Sequence, residues 1–188
     1  MKSQQRLYSL ILAALIAAIT CILAPFAIPL PMTPVPISLT NLVIFFSLYL
    51  IGWKWSLVSY GVYILLGLIG LPVFSGFSGG LGKAAGPTGG YLIGFFFLII
   101  IAGIVIEKYP ARPFGCAIGM VLGMAAAYAF GTAWLSYQLK LTFWAGLMTG
   151  VFPYLIGDAL KIAAALLLGP TLQRAVKRLP VKQSIQKQ

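Results

Sequence analysis

The sequence has no histidine, two acidic residues (Glu107 and Asp158) and two cysteines (Cys21 and Cys116). Without imidazole, the usual general base, the proton switch near neutral pH and the commonest metal ligand are gone. Two isolated carboxylates are too few for paired-acid catalysis or a carboxylate metal cage. The cysteines sit singly inside apolar runs, with no metal spacing or disulfide framework, and read as packing residues. Charge of either sign is scarce, at 8% of 188 residues. Soluble domains carry about 25%, so a water-soluble enzyme surface cannot be built from this chain. What dominates is apolar: 61% hydrophobic residues and a mean hydropathy of +1.01.

The net charge of +11 needs a cause. A nucleic-acid binder clusters Lys and Arg on one folded face. Here the charges only punctuate neutral stretches at 7–53, 55–82, 84–106 and 113–139. A membrane helix needs about 20 apolar residues. The fold class expected is therefore all-α: a polytopic membrane protein, a bundle of six transmembrane helices in one integral membrane domain over 1–188, with a glycine-rich outer loop. Pro25, Pro29, Pro31, Pro34 and Pro36 break the first neutral stretch. The helices are expected at about 7–24, 38–52, 55–70, 91–106, 114–136 and 146–169, with a basic cytoplasmic tail over 170–188 after Gly169-Pro170. Gly52–Trp55 forms the turn between the second and third.

Six crossings put both ends on one side. Ten of the thirteen Lys and Arg residues then fall on that side, Lys83 and Lys140 on the other, and Lys161 within the membrane. Positive charge marks the cytoplasmic side, so both termini are expected there, and the charge needs no nucleic acid. Residues 1–27 also outline a secretory signal, with a basic start and small residues at Ala24 and Ala27. That apolar core is long, and its loss would leave five crossings with ends on opposite faces.

Asp158 and Lys161 lie in an apolar helix, where a charge costs roughly 2.5–3.5 kcal/mol on insertion scales. Their i, i+3 spacing puts them on one face, either as a packing ion pair or as a polar anchor in a ligand pocket. Pro153 and Gly157 are expected to kink this helix. Gly70–Tyr91, GLPVFSGFSGGLGKAAGPTGGY, is either a flexible turn or an irregular segment lining a cavity. It is not a P-loop: Ala84 follows Gly82-Lys83, and Phe77 stands six places before Lys83. Gly80–Ala85 fits G-x-G-x-x-A, but no strand–helix unit surrounds it. The proline run is either a stiff connector or a lid. Ala13 with Ala17, and Ala14 with Ala18, are small-xxx-small pairs suited to close helix approach. Phe95 to Phe97, Tyr128, Trp134 and Trp144 read as lipid belt or core.

The segments PMTPVPISLTN, GLPVFSGFSGGLGKAAGPTGGYLIGF, GTAWL and GDALK, in that order, resemble the BioY family, the biotin-binding S components of energy-coupling factor (ECF) vitamin transporters. The likeness runs from the first helix to about Gly169. It implies a six-helix protein of the bacterial cell membrane that captures biotin from outside as transported ligand, with no cofactor. It also implies a transmembrane coupling subunit and ATPase subunits as partners. Carried over by position, Asp158 and Lys161 are substrate-binding, as are Phe77, Gly79, Gly80, Thr88 and Tyr91 in and beside the loop. Ala13, Ala14, Ala17 and Ala18 match the face toward the coupling subunit, in an open register.

Biotin's ureido ring sets two N–H donors beside a carbonyl. Asp158 accepting and Lys161 donating are expected at that head, with the rings against Phe77 and Tyr91. The carboxylate then faces the loop's backbone N–H groups, with Lys83 as a distant attractor. Other readings are an S component for another vitamin, a biotin carrier without a dedicated ATPase module, a channel, and an intramembrane enzyme built on Asp158, which lacks a second acid or a histidine.

Overall fold

The computed structural model describes residues 2–110 and 112–177. Arg178, Lys182 and Lys187 of the expected tail lie outside them. The order is α1 (Lys2–Leu23), β1 (Ile28–Leu30), β2 (Thr33–Ile37), α2 (Thr40–Leu68), α3 (Leu81–Ala84), α4 (Gly89–Lys108), α5 (Pro113–Leu139), α6 (Phe143–Gly150), a 3-10 turn (Phe152–Tyr154) and α7 (Leu155–Lys177). Five helical stretches are long and apolar enough to cross a membrane, so the protein spans it several times.

One of the five is two helices. Gly52, at φ 74° and ψ 168°, breaks α2. Ser47 Oγ lies 2.8 Å from Ser56 Oγ, nine residues on. Nine residues of continuous helix rise about 13.5 Å, so the chain reverses at Gly52. The limbs 40–51 and 53–68 stand where the second and third helices are expected, and the turn is the single glycine, with Trp53–Trp55 already helical. Glu107 Oε1 accepts from the Trp53 N–H at 3.2 Å, satisfying an orphan donor at the second limb's start.

The proline run is not helical, and it makes two short antiparallel strands pairing Ile28 with Ile37 and Leu30 with Thr33. Ile28, Leu30, Thr33 and Val35 each precede a proline, which pushes them to extended backbone. The prolines themselves donate nothing to the ladder, which keeps it small.

The last helix departs most from expectation. The stretch read as 146–169 is two helices joined at Val151–Tyr154, where Pro153 sits in the 3-10 turn; Gly157 lies inside α7. Gly169-Pro170 does not end α7, which runs on to Lys177. Pro170 is tolerated inside a membrane helix because neighbours re-satisfy the freed backbone. Gly169 serves close packing instead: a Cβ there would stand 2.4 Å from the Tyr49 ring.

The core lies between helices. Helix α2 packs against α1, α4 and α7, and α4 pairs most extensively with α5. That pair touches through small residues. A Cβ at Gly94 would meet Ala127 O at 2.8 Å, and one at Gly123 would meet Leu98 O at 3.0 Å. Close backbone approach of this kind drives helix association where lipid is as apolar as leucine.

Candidate functional site

Asp158 stands in the first turn of α7 and Lys161 one turn later. Lys161 Nζ donates to Asp158 Oδ1 at 2.8 Å, the one ion pair among the described residues. Asp158 is 7% exposed, so its charge must be met inside the protein. Asn41 Nδ2, in the first turn of α2, donates to the same Oδ1 at 2.7 Å. The Tyr128 hydroxyl, from α5, donates to Oδ2. Lys161 also donates to Ser38 O at 2.7 Å, which ties α7 to the chain just after β2. A carboxylate offers about four lone-pair positions and an ammonium three donors. Three positions on Asp158 and two on Lys161 are engaged, so one acceptor, on Oδ2, and one donor, on Nζ, remain.

These groups form one end of a cavity holding about 690 Å³ of empty space including its mouth. Phe74, Tyr91, Leu92, Phe95 and Met124 supply apolar wall, and Ser75, Lys83 and Thr88 add polar groups from the glycine-rich segment. That segment is ordered by its own bonds. Phe74 and Ser78 bridge in antiparallel fashion, the Gly80 N–H donates to Gly67 O at 2.7 Å, and Trp134 Nε1 donates to Gly86 O at 2.9 Å. Val35 and Pro36 bring the hairpin to the cavity lining, and the Tyr154 hydroxyl, which donates to Val35 O and lies 3.2 Å from Thr33 Oγ1, holds it there.

The sequence pattern of the BioY family matches residues 1–178. The chain belongs to the BioY family. The biotin transporter BioY of Thermotoga maritima is 34% identical over 78% of this chain and 86% of its own length. The biotin transporter BioY2 of Lactococcus lactis is 32% identical over 91% and 93%. Among solved structures, the S-component for biotin from an ECF-type ABC transporter superposes with a TM-score of 0.85 at 30% identity, covering 93% of this chain and 95% of that one.

Of the residues that the BioY resemblance singled out, Asp158, Lys161, Thr88 and Tyr91 meet on the cavity, as does Lys83. Tyr91 is wall only in part, since its hydroxyl is spent on Gly150 O at 3.0 Å. Phe77 is not a wall. It is 58% exposed and stacks edge-on against Phe26 at 5.1 Å, outside the cavity; Phe74, 1% exposed, takes the place expected of it. Gly79 and Gly80 also lie off the cavity lining. A Cβ at Gly79 would come 2.2 Å from Leu71 O, so this glycine lets the loop fold against itself. At and beside them, the Gly76, Ser78 and Gly80 N–H groups donate to the carbonyls of Pro25, Phe74 and Gly67. The alanines divide by register: Ala13 and Ala17 are buried, whereas Ala14 and Ala18 face outward. Ala13 and Ala17 are therefore not available to a partner.

Sequence reasoning missed Asn41, Ser38, Tyr154 and the part played by Tyr128. Tyr128 reads as core and is instead a donor to the buried carboxylate; Trp134, read the same way, anchors the loop. Asn41 left a usable signal, a lone amide at the head of an apolar run. Ser38 acts through its main-chain oxygen, which no side-chain pattern reveals.

Proposed function

We propose that this chain is the biotin-capturing S component of an ECF-type importer, taking biotin from the outer face for ATP-driven uptake by partner subunits. The observation that carries it is the single open acceptor on Asp158 together with the single open donor on Lys161, within a mostly apolar cavity. A ureido group presents an N–H and a carbonyl side by side and fits that pair. Both bonds are charge-assisted, about twice as strong as neutral ones. The fused rings lie against Phe74, Tyr91 and Phe95, and the carboxylate reaches Ser75, Lys83 and Thr88.

The chain carries no recognised nucleotide-binding loop, so the energy comes from elsewhere. The outward pair Ala14 and Ala18 on α1 is the surface offered to a transmembrane coupling subunit, which brings the ATPase subunits. Both termini are cytoplasmic in a bacterial cell membrane, on the Lys and Arg bias. The test compares biotin with biotin amide on Asp158→Asn. Loss of affinity for both alike supports a head contact. A change confined to the ratio between them places Asp158 at the tail and refutes the assignment.

A further inference from the structure

A second chamber adjoins the ligand cavity, holding about 590 Å³ including its mouth. The hairpin side contributes Ala27 and Pro34, the glycine-rich loop contributes Gly76 and Ser78, and neither acid of the chain lines it. Pro36, Ser75 and Lys83 line both chambers, so the two adjoin at these residues. Hairpin and loop are tied at one edge, where the Gly76 N–H donates to Pro25 O at 3.0 Å. The chamber is the gap they leave.

On the biotin reading, with the head at Asp158 and Lys161 and the carboxylate at Ser75, Lys83 and Thr88, the carboxyl carbon lies at the boundary with the second chamber. A blind pocket excludes any substituent there; an adjoining chamber has room for it. The Lys83 ammonium attracts a carboxylate, yet an amide oxygen also accepts from it, because a flexible lysine needs no fork geometry. Prolines bring no N–H groups that a passing methylene chain would leave unsatisfied. A cationic group beside Lys83 is disfavoured by like charge. We propose that the second chamber is a subsite for ligands whose carboxyl is joined through an amide to a chain without net positive charge, so that biotin amides and biotinyl-ε-lysine are captured as well as free biotin. This rests on the biotin reading above.

The test is competition against tritiated biotin on the full chain in lipid nanodiscs, using biotin methylamide and biotinyl-ε-lysine. Both are expected within about tenfold of free biotin, the loss of one charge-assisted contact. Lys83→Gln should erase that difference. Ala27→Phe fills the second chamber and lines nothing of the first. It should leave biotin within about twofold, since separate sites act independently, and weaken biotinyl-ε-lysine about thirtyfold or more, as expected of an overpacked chamber. Ser78→Leu narrows the chamber from the loop side and should act the same way, which separates blockage from misfolding of either variant. Failure of biotinyl-ε-lysine to compete on the unmodified chain overturns the subsite, as does equal competition on both narrowed variants. Failure of free biotin to bind the unmodified chain overturns the biotin reading itself.

Discussion

Removing one charge from the buried pair should harm the protein more than removing both. In Lys161→Met the Asp158 carboxylate keeps Asn41 at 2.7 Å and the Tyr128 hydroxyl but loses its counter-charge. The side chains of Lys161 and Asp158 are 13% and 10% exposed, too little for water to compensate. Breaking such a pair costs about 3–5 kcal/mol. Adding Asp158→Asn removes the stranded charge; its amide oxygen, in the Oδ1 place, still accepts from Asn41, and its NH2, in the Oδ2 place, donates to the Tyr128 hydroxyl oxygen. The second substitution should therefore restore about 2 kcal/mol of the loss, a coupling within the range for residues in one network. Equilibrium unfolding in mixed micelles of rising SDS fraction measures both, and a biotin-binding assay runs alongside. Neither variant should bind biotin with appreciable affinity. The reasoning fails if the double variant is less stable than Lys161→Met, or if it retains biotin binding.

Asn41→Leu removes a 2.7 Å bond to a buried carboxylate and should cost about 1.5–3 kcal/mol, read in the same titration. Phe77→Ala should leave biotin affinity within about threefold in a binding assay, since the ring sits outside the cavity and loses only an exposed aromatic contact worth about 0.5–1 kcal/mol. Ala14→Leu with Ala18→Leu should preserve biotin binding and abolish co-purification with a coupling subunit, whereas Ala13→Leu, on the buried face, should destabilise the fold by about 1–3 kcal/mol through overpacking. Gly52→Ala adds a Cβ 2.5 Å from Glu107 Oε1 at a positive φ and should lower stability by about 1–3 kcal/mol through backbone strain.

Membrane class and the pairing of Asp158 with Lys161 were legible because each follows from local composition and spacing. Some 20 apolar residues make a span wherever they occur, and a charge inside such a span is costly in any arrangement. Helix ends were less legible. Gly169-Pro170 looks like a stop, but Tyr49 on another helix needs the glycine's small size, and that demand comes from a residue 120 positions away.

The cavity walls depended on the same kind of distant meeting. Phe74 and Phe77 are near neighbours in one glycine-rich run, and nothing in their spacing says which turns inward. The bridge between Phe74 and Ser78 and the packing of Phe74 on Tyr63 at 5.6 Å decide it. Likewise Ala13 and Ala14 are equivalent as small residues until α1 meets α2. Composition and periodicity by themselves determined that the chain crosses a membrane and carries a charged pair within it. Only the tertiary structure brought Asn41, Tyr128 and the Ser38 carbonyl to that pair, because hydrogen-bond partners from two segments remote in sequence are chosen by how the helices pack and not by any one segment's pattern.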